Sequence, residues 1–459
     1  MVATIGGDAA ETLGRASVLK RLTAIDPAMR PLFAALAGEA LAAGADLRQW
    51  TRTDLLDAWL KRERDTYWTP AGVDEPHANL AALATMVGGI AEDIVVTPPD
   101  GIELPQPEAV SSTAYAALTG RQPVADDRDT TWFAALEPDL LGTFFVLQHL
   151  QAPRGQGIAM RNVVKSRADR YRRAAWNRDG LDALAFTFFL DRSKDDFLGH
   201  PVFAALLGPP VGSRFSRTLW AMLVADLVHA MGSAGQIDEA EALLAQLRTL
   251  AEGHPDEPEL RLPVAEGSFN LISAMGSAGQ IDEAAALLAQ LRTLAEGHPD
   301  ELDLRLPFAR GSVNLIAAMG SAGRIVEAAA LLDQLRTLAE GSPDEPELRV
   351  ERAKGSFNLI TAMGSAGKID AAEALLAQLR TLAESHPDEL PVVAAAGLAA
   401  VLVLVAHVQR EGAEGAKATA RSAEGLLRHP AVIAEMRQRF GGDGAGQLED
   451  LIEALLSDD

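Results

Sequence analysis

Residues 232–275 read GSAGQIDEAEALLAQLRTLAEGHPDEPELRLPVAEGSFNLISAM. The same 44 residues return at Gly276 and Gly320 almost unchanged, and at Gly364 with the second half altered. Met231, Met275, Met319 and Met363 mark the step. A fixed period of this size means supersecondary units that stack on one another. Within the second unit, Ile281, Ala284, Leu287, Leu288, Leu291, Leu294 and Ala295 recur at steps of three and four, which puts one apolar stripe on a helix. Asp282 and Glu283 fall in its first turn, where carboxylates suit the positive end of the helix dipole. Gly297 and Pro299 punctuate its end, and Asp300 is placed to cap the next helix. That helix closes on Asn314-Leu315-Ile316-Ala317-Ala318-Met319, and the Gly-Ser-Ala-Gly turn follows. Pro263 and Pro307 stand early in the first helix of their pairs and Glu351 replaces them in the next, so that helix is either kinked or begins at the proline. Each unit is thus a helix, a turn and a helix. One pair cannot cover its own apolar faces, whereas stacked pairs form a superhelix with a concave side.

The run Asn270-Leu271, Gly279, Ile281, Glu283-Ala284 and Leu287-Leu288 resembles tetratricopeptide repeats. It is most similar to those of kinesin light chains, which also place Asn-Leu nine and eight residues ahead of the turn glycine. The resemblance covers residues 214–410, and it departs in length, since the family's unit is about 34 residues. In that family the first helix of each pair lines the groove. The resemblance therefore implies a polar row of Asp226, Asn270, Asn314 and Asn358 able to bond an extended peptide backbone. The competing reading is that these side chains bond the neighbouring helix and only hold the stack. The next step of the period reaches Leu402, where the row stops.

Composition sets bounds. A chain of 459 residues has room for two or three domains, and 48% hydrophobic residues with few aromatics suit helical layers. A net charge of −23 argues against a general nucleic-acid binder and suits a basic partner. With no cysteine there is no disulfide, thiol chemistry or cysteine-based metal site. The opening MVATIGGDAAETLG lacks a basic n-region and an apolar core, so it does not read as a signal peptide and a cytoplasmic location is expected. The run Pro391–Val408, PVVAAAGLAAVLVLVAHV, approaches the length of a membrane span. It also lies in register with the first helix of a fifth pair between charged flanks, and a buried helix is the expected outcome.

Ahead of the repeats, helices are expected from about Ala9 to Leu22, from Pro31 to Ala43, from Asp54 to Trp68 after a Thr51-Arg52-Thr53 cap, and from His77 to Ile94. A Pro-rich link follows, then helices over 107–119, from Glu137 through Phe144-Phe145, and over 161–176, 180–193 and 196–207. Gly208-Pro209-Pro210 separates this half from the repeats. The segments IDPAMRPLFAALAGEALAAG (25–44), DLLDAWLKRERDTYW (54–68), NLAALATMVGG (79–89), LEPDLLGTFFVLQHL (136–150) and FFLDRSKDDFLGHPVF (188–203) resemble, in order, a stretch of bacterial STAND NTPases. There it forms a helical lid and a winged-helix-like module between the nucleotide-binding core and a repeat sensor. The resemblance implies that Arg30-Pro31-Leu32 matches the family's Pro-Leu motif, with Pro31 as the adenine contact.

The phosphate cradle G-x-x-x-x-G-K-[ST] is missing. Gly364-Ser365-Ala366-Gly367-Lys368 comes nearest, but Ile369 stands where a magnesium-binding hydroxyl is needed, and the stretch is a repeat turn. The chain reads as the lid-to-sensor part of such a protein, whether a truncated form, a split gene product or a degenerate relative. The nine histidines show no ligand spacing; His254, His298 and His386 sit in inter-repeat turns, where Ser342 takes the third place. No serine-protease-like set and no catalytic metal motif is present. The basic run Arg161, Lys165, Arg167, Arg170, Arg172, Arg173 and Arg178 reads as a solvated face, an intramolecular or partner dock, or a nucleic-acid-reading helix.

The expected fold is all-α, with room for a small β wing: a lid-like helical segment (1–70), a winged-helix-like module (71–210), a TPR-like α-solenoid (211–410) and capping helices (411–459). The expected role is a non-catalytic, peptide-binding sensor and scaffold without cofactor or metal. It would report to a nucleotide-binding or effector module and self-associate on activation. The alternative is part of a working NTPase that binds ATP or ADP with a separate P-loop domain.

Overall fold

The computed structural model describes residues 15–46, 48–91, 98–99, 101–120, 132–136, 139–151, 159–176, 181–210 and 212–457. These residues are helical apart from turns and one antiparallel pair, Ile90–Ala91 with Trp132–Phe133. Contacts cluster into two compact units, Met1–Trp220 and Ala221–Asp459.

In the first unit, α1 (Arg15–Ile25) and α2 (Pro31–Ala42) flank the Asp26-Pro27 turn. α3 (Arg52–Glu63) starts on a reciprocal capping box between Thr51 and Asp54 and runs on as a π-helical turn to Trp68. The expected start at Ala9 lies outside the described residues, as does Glu137. α4 (Glu75–Val87) is capped by Asp74 and ends early, not at Ile94, because Gly88 is left-handed at φ 75°. The helix expected over 107–119 is split into a 3₁₀ turn and α5 (Ser112–Thr119), because the Ser111 hydroxyl accepts the Ala114 N–H at 3.0 Å and starts a new helix. α6 (Asp139–Leu150), α7 (Ala159–Trp176), α8 (Leu181–Phe197) and α9 (Pro201–Leu206) complete the unit. Their core is aromatic: Trp176 meets Phe186 edge-on at 4.9 Å and Trp68 meets Phe145 at 5.2 Å.

The second unit takes up α10 (Arg214–Ser233) from Ala221 onward. As a first helix α10 pairs with α11 (Ile237–Gly253), and α12 (Arg261–Ser277) pairs with α13 (Ile281–Gly297), α14 (Leu302–Ser321) with α15 (Ile325–Glu340), and α16 (Pro346–Ser365) with the helix that follows it. α17 (Ile369–Ser385) precedes the apolar α18 (Leu390–Glu411). α12 packs on α14, α14 on α16 and α16 on α18, with each intervening helix filling the angle between two of them. The apolar stripe predicted for α13 is buried at Ile281, Ala284, Leu287, Leu288, Leu291 and Ala295.

The Gly-Ser-Ala-Gly turn is a Schellman motif. Gly279 is left-handed at φ 79°, Gln280 N–H reaches Met275 O at 2.9 Å and Gly279 N–H reaches Gly276 O at 3.2 Å. Met231, Met319 and Met363 carbonyls accept the same long bond, which is why methionines mark the period. The other turn differs from the sequence expectation. Glu301, not Asp300, holds the N-cap of α14, with no side-chain cap, because the Glu301 N–H closes the turn onto His298 O and its carboxylate reaches back to Arg261 at 2.8 Å. Arg349 pairs with Glu389 at 2.9 Å in the same way. α14 runs through Pro307, whereas α12 starts two residues before Pro263. His298 and His386 turn Nδ1 to a carbonyl of their own helix at 3.1 Å, as turn residues do.

From Val392 to Val408 no residue of α18 is exposed. α19 (Ala413–Ser422), α20 (Glu424–Leu427) and α21 (Pro430–Leu456) pack against it. Its length and apolarity would suit a membrane, but here it is a core helix. Gly397 brings α21 close, since a Cβ there would meet Val432 Cγ2 at 2.2 Å.

The stack has an internal control for close packing. A Cβ on Gly320 would lie 2.6 Å from Ala362 Cβ, while a Cβ on the equivalent Gly364 meets nothing within 4 Å. Gly320→Ala should cost about 1–3 kcal/mol and lower the urea midpoint. Gly364→Ala should leave the midpoint unchanged or raise it, through a helix-propensity gain of about 1 kcal/mol.

Candidate binding groove

α10, α12 and α14 together form an open groove of about 610 Å³. Its floor is Ala225, Leu262, Phe269, Leu306 and Pro307, and its polar groups are Asp226, His229, Glu266, Asn270, Asp303 and Arg310. The helices position these groups by simple spacing. Glu266 and Asn270 are four apart on α12, as Arg310 and Asn314 are on α14, so each pair shares one face. Asp226, Glu266, Asp303 and Arg310 are exposed, and Asn270 is half-buried. Burial and the like charges of Asp226 and Asp303 push the Glu266 carboxyl up from its ordinary value, against the pull of Arg310.

The predicted row thus falls on the first helices. Asp226 and Asn270 open into this groove; Asn314 is exposed on α14 and Asn358 half-buried on α16. Their amides also look backward along the stack. Asn270 Nδ2 donates to Ala225 O at 3.2 Å, Asn358 Nδ2 to Val313 O at 3.3 Å, and Asn314 Nδ2 to Ser273 Oγ at 2.7 Å. Among the described residues no side chain donates to the three Oδ1 atoms. The two readings of the row are therefore compatible, because the nitrogen holds the neighbour while the oxygen is left without a side-chain donor among the described residues. Glu266, Asp303 and Arg310 were not singled out from the sequence. The available signal was the column Met222, Glu266, Arg310, Lys354, which changes charge between units that otherwise hardly differ.

Pro31 belongs to the other unit, where it is exposed at the first position of α2. The preceding Arg30 is locked: Asp26 Oδ1 lies 2.7 Å from its Nη2, and Asp196 Oδ2 lies 3.0 Å from its Nη1. Arg52 pairs with the same Asp196, and both guanidinium groups lie over the Phe33 ring, at 5.3 and 4.9 Å. Burial disfavours the charge on Asp196, but hydrogen bonds from Arg30 and Arg52 outweigh it and hold that carboxyl below the usual range.

The basic run on α7 is largely spent inside its own unit. Arg170 donates to Gly101 O at 2.6 Å, Arg172 to Pro209 O at 2.8 Å, and Asp169 takes Arg172 and Arg173. Arg178 and the side chains of Arg161 and Lys165 lie outside the described residues. Arg167 caps a buried polar knot and lies 3.1 Å from Glu75. In that knot Tyr171 OH donates to Asn79 Oδ1 at 2.7 Å, His149 Nε2 lies 2.8 Å from the same oxygen, and Asn79 Nδ2 donates to Glu103 O at 2.7 Å. Burial, with Arg167 and Arg64 nearby, drives the His149 pKa down to about 3.

No protein-family model, curated protein or solved structure is detectably similar to the chain.

The His149 shift sets a pH dependence. Between about pH 6.5 and 3 the unfolded chain binds a proton that the folded knot refuses, so stability is full above 6.5 and falls as pH drops through that window. Thermal midpoints between pH 7 and 5, above most carboxylate titration, should therefore fall with pH. His149→Gln, with no charge to acquire, should flatten that slope.

Proposed function

We propose that residues 211–410 form a TPR-like α-solenoid whose first-helix face binds an extended peptide of a partner protein. On this reading the chain is a non-catalytic sensor and scaffold of the cytoplasm. It is the regulatory part of a STAND-type signalling ATPase, with a lid-like and winged-helix-like amino-terminal half. Groove occupancy is passed to a nucleotide-binding or effector module, with self-association on activation. One observation carries the reading: the groove is walled by successive first helices and receives both Asp226 and Asn270. Two features support it. The carboxamide nitrogens of Asn270, Asn314 and Asn358 are used within the stack, so the amides are fixed in place for an incoming backbone N–H. The polar groups of the groove stand over an apolar floor, which suits side chains alternating along an extended segment.

The test is an array of extended peptides probed with the full chain. Hits should lose about tenfold or more in affinity when Asn270, Asn314 and Asn358 are all replaced by alanine, given about 0.5–1.5 kcal/mol for each hydrogen bond. Circular dichroism should show the helices retained. Undiminished binding by the folded triple variant would remove the row from recognition. An array with no hits would remove the groove.

A further inference from the structure

We infer that the groove is electrically polar along the stack and selects a bipolar peptide: basic residues at one end, acidic residues next, and an apolar side chain last. The inference rests on the peptide-binding reading above and adds the chemistry of the partner.

Each first helix offers three positions on its outward strip, spaced by four and three residues. They read Met222, Asp226, His229 on α10 and Glu266, Asn270, Ser273 on α12. On α14 they are Arg310, Asn314, Ala317, and on α16 Lys354, Asn358, Thr361. The middle position is nearly constant, while the first changes from Met through Glu to Arg and Lys. Negative charge therefore gathers at Asp226, Glu266 and Asp303, and positive charge at Arg310, whereas the Lys354 ammonium is partnered by Glu351 Oε1 at 2.8 Å. Glu266 and Arg310 are exposed and make no ion pair at contact distance among the described residues. Burial first, and then the like charges of Asp226 and Asp303, raise the Glu266 carboxyl, so a cation placed here would be favoured.

Beyond α16 the equivalent positions on α18 are apolar: Leu398 is buried in the core, while Leu402 and Val405 are half-buried. Here the helices part: the small-residue contact made at Gly320 is missing at Gly364. A hole of about 180 Å³ opens, lined by Ile360, Thr361, Gly364, Leu402, Val405 and Ala406. It lies in line with the charged strip and is wide enough for one aliphatic side chain. Helix axes lie about 8–10 Å apart and an extended chain advances about 3.3 Å per residue, so each helix is crossed in about three residues. The full segment is then on the order of twelve residues, with its basic block over α10 and α12, its acidic block at Arg310 of α14, and its apolar residue against α18.

Three labelled synthetic peptides of about twelve residues test this by fluorescence anisotropy with the full chain at about 150 mM salt, where surface charge is screened beyond about 8 Å. One carries a lysine block, a glutamate block and a terminal leucine; the others are all-lysine and all-glutamate with the same leucine. The bipolar peptide is expected to bind about tenfold tighter than either uniform peptide. It should lose that advantage on the folded Glu266→Ala, Arg310→Ala double variant, and weaken about tenfold when its leucine becomes serine. Equal or tighter binding of a uniform peptide, or an advantage that survives the double variant, overturns the polarity. A leucine-to-serine change without effect overturns the apolar stop. If none of the three binds while array hits still depend on the asparagines, the polarity falls and the peptide groove stands. If array binding fails as well, both fall.

Discussion

Gly320 faces Ala362 with too little space between them for a methyl group, and Gly232 faces Ala274 almost as closely. That approach between first helices is the constraint on which the second unit depends. Small residues at one helix end bring α10, α12 and α14 each against the next first helix, and Gly267, Gly311 and Gly355 let leucines from the second helices in from the other side. Once the spacing is fixed, Asn270 can reach Ala225 O and Arg261 can reach Glu301. The polar bonds between repeats are therefore consequences of close packing. Individually they are worth about 1 kcal/mol at most, since most are exposed. Repetition makes them a lattice in which each repeat positions the next.

Much of this was legible in the sequence, because the repeat printed the same physical answer several times. The 3.6-residue stripe, the left-handed glycine and the methionine that accepts the turn's long hydrogen bond recur together, so chance is a poor explanation for any of them. The inter-repeat turn was harder. Asp300 and Glu301 are both capable caps, and the choice fell to Glu301 because Arg261, 40 residues away in the chain, draws its carboxylate. No local rule contains that partner. The amino-terminal half had no repetition to average over. There Gly88 ended α4 before Ile94, and Ser111 opened a helix that composition alone ran together with the preceding turn.

The candidate site shows the same division. Periodicity found the row of Asp226, Asn270, Asn314 and Asn358, since a constant residue at a fixed step is visible without coordinates. It did not find Glu266 and Arg310, whose meaning lies in their difference from one another. A column that varies looks like noise in a sequence. It becomes a gradient only when stacking lays the columns side by side.

That contrast bears on what the stack is for. If repeats were added by duplication and left alone, substitutions would scatter over every exposed face. Some do: Val326 stands exposed where the other units carry aspartate at the start of the second helix. On the groove strip the pattern is ordered, with acid before base before half-buried apolar residues, and it ends at the small hole beside Gly364. An ordered series along a surface made of copies is the arrangement a directional ligand needs. The copying supplies the frame and the fixed amides, and the few positions that escaped copying supply the address.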